Sequence, residues 1–291
     1  MNYMMIPMEE KGSEPGAKLI LYIQDYSKDM KIQKRPLILM CPGGGYGRTS
    51  DRESEPMALK FLSMGYHVGL LRYSCAPATF PTSLTELARA MMLIREHAEE
   101  WNIERDKIVV QGCSAGGHLA ASLGMFWHED FLAKELGLEG DREVLKPYGM
   151  LLSYPVITSG EFAHKGSFEK LIGPDRSDEE RAELLQKLSL ENQVTDKTPQ
   201  AFIWHTFADT SVPVENSLLL VSAFRKAGIP TEFHMFPRGK HGLALANKLT
   251  ETNDGRAIQD ECVIWIQLAE VWLKNLFDDD KTEGNTLETV W

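Results

Sequence analysis

Short apolar runs recur along the chain, separated by longer stretches in which apolar residues fall every three or four positions. The short runs predict strands at Lys18–Gln24, Pro36–Met40, His67–Arg72, Lys107–Gln111, Tyr148–Tyr154, Ala201–Thr206 and Thr231–Phe236. Several are apolar at consecutive rather than alternate positions, as strands covered by helices on both faces should be. Leu84, Leu87, Ala88, Met91, Ile94, Ala98 and Trp101 fall on one 3.6-residue face and predict a helix. Ser177 and Glu180 have the spacing of a capping box ahead of a helix over Arg181–Leu190. A further helix is expected at Glu215–Ala227, and Val263–Leu276 has the helical spacing of an element packed on a sheet. Strands alternating with helices predict an α/β fold: βαβ units around a mostly parallel central sheet with helices on both faces.

One stretch breaks the alternation. Pro155–Pro199 separates two strands by more residues than an ordinary connection uses and is rich in glycine, serine and charge. It is expected as an insertion near the active site, passing over the edge where that site lies. The remainder implies one domain over residues 1–277, followed by a polar tail, Asp278–Trp291, in which Trp291 is a candidate contact to a neighbouring subunit of a homo-oligomer. A chain of 291 residues is long enough for a sizeable core.

Charge narrows the partners. With 31 Lys and Arg against 42 Asp and Glu, the net charge of −11 argues against nucleic acid and against an anionic membrane surface. No apolar stretch approaches the roughly 18 residues of a membrane span. The start, MNYMMIPMEEKGSEPG, lacks a basic segment followed by an apolar one, and the four cysteines are scattered without CxxC spacing. Reduced thiols, a cytoplasmic protein and no metal site are the expectation.

The central chemical feature is Gly112-Cys113-Ser114-Ala115-Gly116, directly after an apolar strand and before the helix-like Gly117–Leu123. A GxSxG turn between strand and helix is a nucleophile elbow: small residues allow a tight bend that projects the serine hydroxyl at a helix N-terminus. Ser114 is therefore the candidate nucleophile. Cys113 occupies the position whose side chain should point away, and His118 is expected to pack or cap the helix. Acyl transfer also needs N–H groups for the oxyanion. One should come from Ala115. The other should come from Cys41-Pro42-Gly43-Gly44-Gly45-Tyr46, after an early strand; Gly44 is the first choice, with Gly45 left open. A phosphate loop would need a GK[ST] ending, and Gly47-Arg48-Thr49 does not provide it.

In this chain order the acid follows the serine, and the histidine comes last. Asp209 lies just past the strand Ala201–Thr206, and His241 lies in the glycine-flanked loop after Thr231–Phe236. His234 falls inside a strand, and His205 is expected as a core residue or a support to the site. Tyr46 and Arg48, after the glycine run, are candidate substrate contacts suited to a sugar ring.

These motifs, together with Ser50-Asp51-Arg52-Glu53, Leu71-Arg72-Tyr73-Ser74 and His205-Thr206, resemble the bacterial acetyl-esterase and feruloyl-esterase-like α/β-hydrolases, a carbohydrate-esterase-like group. More distantly the chain is similar to hormone-sensitive-lipase-type esterases and prolyl-oligopeptidase-type peptidases. The resemblance covers roughly Lys18 to Leu276. It implies the α/β-hydrolase fold and a serine esterase that needs no cofactor. The substrate it implies is a small-molecule ester, an acetylated sugar or oligosaccharide. Pro42, where the lipase-like branch has a histidine, favours the sugar-esterase branch. The alternatives are a serine peptidase, an amidase or formamidase of the same fold, and a catalytically silent ligand-binding protein.

Overall fold

The computed structural model describes residues 1–278. Among these residues eight strands form one sheet in the order β1-β2-β4-β3-β5-β6-β7-β8. In chain order they are β1 (Asn2–Pro7), β2 (Lys18–Ile23), β3 (Arg35–Cys41), β4 (His67–Arg72), β5 (Ile103–Cys113), β6 (Gly149–Ser153), β7 (Ala201–Thr206) and β8 (Thr231–Phe236). The β1–β2 and β2–β4 pairs are antiparallel and every other pair is parallel. Eight α-helices accompany them among the described residues: α1 (Glu55–Ser63), α2 (Thr82–Glu96), α3 (Ala115–Phe126), α4 (Asp130–Leu136), α5 (Lys165–Ile172), α6 (Asp178–Leu188), α7 (Glu215–Ala227) and α8 (Trp265–Phe277).

Why the strands read as continuous apolar runs is visible in their burial. Leu37, Leu39 and Cys41 face one core, with residues of α2 and α3, while Ile38 and Met40 face a second, with α1 and α8. Both faces of β3 are therefore covered. On α8, Trp265, Ile266, Ala269, Trp272, Leu273 and Leu276 form the buried face, and Trp265 stacks on Trp204 of β7 at 4.9 Å between ring centroids. Removing one such side chain, as in Leu273→Ala, costs about 2–5 kcal/mol.

All seven strands expected from the pattern are present, with ends shifted by up to four residues. The edge strand β1 is an addition. Met4 and Ile6 pack inward while Tyr3 and Met5 face outward, so apolar residues occupy both sides and no alternation marks it. The helix expected to reach Trp101 ends at Glu96; Ala98 and Trp101 stay buried from a turn that carries the chain into β5, with Ile103 N–H bonded to the Ala98 carbonyl. The capping box forms as expected, with Glu180 N–H donating to Ser177 Oγ and Ser177 N–H to the Glu180 carboxylate, but its helix starts at Asp178 and ends at Leu188. The insertion Pro155–Pro199 holds α5 and α6. The tail beyond Asp278, with Trp291, lies outside the described residues. No helix among the described residues is long and apolar enough to cross a membrane, and no cluster of side chains there could hold a metal ion.

Strand register places the site. Cys41 lies beside Gly112, Cys113 beside Ser153, and Thr206 beside Phe236. The loops after β3, β5, β6, β7 and β8 therefore leave the sheet side by side at the C-terminal ends of the parallel strands, where ligands bind in open α/β sheets.

Candidate active site

Ser114 stands between β5 and α3 with φ 55 and ψ −120, a backbone region costly for a residue with a side chain. The surroundings hold it there: its N–H donates to the Ser153 carbonyl, and its own carbonyl accepts from Val156 N–H, both at 3.0 Å. The flanking glycines are needed for close approach. A Cβ on Gly112 would sit 2.1 Å from the Gly116 carbonyl oxygen, and one on Gly116 would sit 2.0 Å from that of Cys41. Cys113 points into the other core, fully buried, and burial pushes its thiol above its ordinary range. It is not available as a nucleophile.

His241 Nε2 lies 2.7 Å from Ser114 Oγ, and His241 Nδ1 lies 2.6 Å from Asp209 Oδ2. Ser114, His241 and Asp209 thus form one hydrogen-bonded line, assembled from the loops after β5, β8 and β7. Asp209 is buried, and its other oxygen, Oδ1, accepts from Ser211 N–H at 2.9 Å and Val212 N–H at 3.0 Å. Burial acts to raise its pKa, but hydrogen bonds from His205 and His241 and the charge on them outweigh it, holding the carboxyl well below its usual range. It stays ionised and fixes the imidazole proton on Nδ1, leaving Nε2 to accept from the serine. His205 is fully buried, with Nε2 2.9 Å from the Val212 carbonyl and 3.3 Å from Asp209 Oδ2, and Nδ1 2.8 Å from Ser217 Oγ. It supports the acid, and His234 faces Glu232 instead.

The glycine run forms a tight loop. Ser50 N–H donates to the Gly43 carbonyl at 2.8 Å and Gly47 N–H to the Gly44 carbonyl at 3.1 Å. Across a trans peptide the N–H points opposite to the C=O, so these bonds turn the N–H groups of Gly44 and Gly45 away from their own loop. Among the described residues neither has a partner, nor does Ala115 N–H at the start of α3. Gly44 has φ +135, and a Cβ there would lie 2.0 Å from the Arg48 carbonyl oxygen.

Tyr46 requires a correction. It is only 3% exposed, its hydroxyl lies 2.9 Å from His118 Nδ1, and its ring meets Tyr73 and His118 edge-on. No aromatic face is left for a ligand. The reason is His118: buried in α3, with Nε2 donating to the Leu188 carbonyl at 2.9 Å, it needs a donor at Nδ1, and the Tyr46 hydroxyl supplies it. Arg48 is exposed on the loop surface.

Three further residues reach the site without having been assigned a role from the sequence. Glu53, at the end of Ser50-Asp51-Arg52-Glu53, is buried, which its sequence neighbours do not signal. Tyr154 presents its ring edge-on to His241, with centroids 5.1 Å apart. His164, in Pro155–Pro199, bonds Ser167 at 2.8 Å beside Gly45, and burial, then the charge of His241, lowers its pKa. Tyr154 and His241, and His164 and Gly45, lie far apart in the chain, and no local pattern marks their approach.

Residues 23–224 match the model of the BD-FAE family. The chain belongs to this family. Its fold is that of the α/β-hydrolases, and the acetyl-esterase and feruloyl-esterase-like resemblance of the motifs holds. A solved structure, the acetyl ester-xyloside bifunctional hydrolase of Caldicellulosiruptor lactoaceticus, is 36% identical over 94% of this chain and 96% of its own, with a TM-score of 0.77. Endo-1,4-beta-xylanase B of Butyrivibrio fibrisolvens is 39% identical over 74% of this chain, and the acetylxylan esterase of Xylanibacter ruminicola is 28% identical over 71%. The chain spans only 33% and 40% of the lengths of those two proteins.

Proposed function

We propose that this BD-FAE chain is a serine carboxylic-ester hydrolase that removes short acyl groups, acetyl above all, from small acetylated sugars or oligosaccharides. The observation that carries the reading is the unbroken line from Ser114 Oγ through His241 to Asp209, at 2.7 and 2.6 Å. His241 Nε2 takes the serine proton as Oγ attacks the ester carbonyl carbon. The oxyanion falls to Ala115 N–H and to the unpartnered N–H of Gly44 or Gly45. Collapse of the tetrahedral species breaks the C–O bond, and His241 returns the proton to the leaving alkoxide. Water then attacks the acyl-enzyme with His241 again as base, releasing the acid. No step draws on a cofactor.

The substrate class is supported by the relatives named for acetylxylan and acetyl ester-xyloside hydrolysis. It is also supported by the charges of Pro155–Pro199, among them Glu161, Lys165, Asp175 and Arg176, which suit a hydrated sugar better than a long alkyl chain. The four free thiols suit a reducing, cytoplasmic setting.

The test pairs two measurements. Ser114→Ala should abolish ester hydrolysis and fluorophosphonate labelling at unchanged melting temperature, because it removes the attacking group and opens little space. Across p-nitrophenyl esters from acetate to decanoate, kcat/KM should peak at the short end. Turnover retained in Ser114→Ala refutes the nucleophile, and a maximum at octanoate or longer refutes the acetyl preference.

A further inference from the structure

A single 3-10 turn, Asp51–Glu53, follows the glycine loop and precedes α1. Its side chains diverge. Asp51 pairs with Arg72 on the surface at 2.9 Å. Arg52 donates through Nε to the Thr250 carbonyl at 2.6 Å and through Nη1 to the Gly242 carbonyl at 2.9 Å, both in the loop that carries His241. Glu53 turns inward and is 4% exposed. Its Oε2 accepts from Gly43 N–H at 2.9 Å, and its Oε1 accepts from the Tyr154 hydroxyl at 2.8 Å. The Tyr154 oxygen in turn accepts from Ala244 N–H at 2.9 Å. Adjacent residues of one turn therefore grip the oxyanion loop at Gly43 and the histidine loop at Gly242 and Ala244, on either side of Ser114.

Burying a carboxylate is costly unless its hydrogen bonds are made. Here both oxygens are used, and each ends on a part of the reacting site. Glu53 holds the Gly43 N–H, and Ser50 holds the Gly43 carbonyl, so Gly43 is fixed through both of its peptide groups, and the Gly44 N–H, opposite that carbonyl, keeps its direction. The bond to Tyr154 holds the phenol whose ring flanks the His241 imidazole.

We propose that Glu53 is a positioning residue for the reaction: its buried carboxylate holds the oxyanion loop and the catalytic-histidine loop in register on either side of Ser114. This rests on the serine-esterase reading. A group acting this way orients the transition state more than it binds the ground state, so its loss lowers kcat with KM little changed.

Glu53→Gln tests it. A carboxamide has one oxygen, so it can accept from Gly43 or from Tyr154 but not from both, and its NH₂ faces the remaining donor. Tyr154→Phe keeps the ring and removes the hydroxyl. Both variants and their double are assayed on p-nitrophenyl acetate, at a temperature where melting curves show each fully folded. The expected result is a fall in kcat of about 10- to 100-fold in Glu53→Gln, the size of loss found when a partner that orients a metal ligand is removed. KM should hold within about twofold. The double variant should lose no more than Glu53→Gln alone, because both changes cut one network. An unchanged kcat in folded Glu53→Gln, a loss confined to KM, or losses that multiply in the double would each overturn the proposal. If Glu53→Gln does not fold, Tyr154→Phe decides: a loss in kcat with KM held supports the role, and unchanged kcat overturns it. A wild type that neither hydrolyses the ester nor takes up a fluorophosphonate is a different failure, that of the esterase reading itself.

Discussion

Asp209→Asn turns the orientation of one proton into a rate. In the wild type, Asp209 Oδ1 accepts from two backbone N–H groups, of Ser211 and Val212, while Oδ2 faces His241 Nδ1 at 2.6 Å and His205 Nε2 at 3.3 Å. Asparagine has the same shape but one acceptor oxygen. The two backbone donors cannot turn, so they hold the amide oxygen in the Oδ1 place. The opposite orientation would set an NH₂ against both, at about 1–3 kcal/mol for each donor left unpaired. The NH₂ must therefore face His241. Nδ1 then has to accept, the imidazole proton moves to Nε2, and the ring offers Ser114 a donor where it needs a base. In a triad of this geometry the wrong tautomer costs about 10⁴ in kcat, or about 5 kcal/mol of barrier at 1.36 kcal/mol per decade. His205 keeps the Val212 carbonyl at 2.9 Å, so folding stability should change little. The assay is kcat/KM on p-nitrophenyl acetate near neutral pH, beside a melting curve and the ¹⁵N shifts of His241. A loss of less than about tenfold, or an Nδ1–H tautomer that persists in the variant, would refute the reasoning.

Two other predictions follow from the loop and the core. Gly44→Ala should lower kcat by at least about 10²-fold, because its Cβ would meet the Arg48 carbonyl oxygen at 2.0 Å and the loop would lose its amide alignment. Gly45→Ala, with φ +63 and nothing nearer than Ser167 Oγ at 3.7 Å, should cost only about 1–2 kcal/mol of backbone strain and little activity; equal losses at the two positions would contradict the geometry. Burial lowers the pKa of His118 to about 4, so the folded protein keeps it neutral while the unfolded chain protonates it near pH 6.5. A histidine with a depressed folded pKa contributes stability above the unfolded value, and this is lost as pH falls from 6.5 toward 4. The stability gap between wild type and His118→Gln, from urea melts, should therefore shrink over that window by up to about 3 kcal/mol; a constant gap would refute the assignment.

The sequence by itself determined what local chemistry can encode. Doubly covered strands appear as consecutive apolar residues, so seven strands and the α/β class were legible in Leu37–Met40 and its counterparts. Ser114 was legible because a tight elbow needs Gly112 and Gly116. Asp209 and His241 were legible because each lies just past the end of a strand. Strand β1 was not, since Tyr3 and Met5 on its exposed face are as apolar as Met4 and Ile6 on the other. Burial and long-range pairing belong to the tertiary structure alone. Tyr46 sits in a loop whose composition suited a sugar ring, yet the fold turns it inward because His118, 72 residues later, needs a donor for its buried Nδ1. Glu53 looks like one more surface acid until β6 brings Tyr154, 101 residues on, within 2.8 Å of it. A hydrogen bond between distant residues depends on the register of the strands that carry them. That register is set by packing across the whole sheet rather than by any stretch of chain that can be read alone.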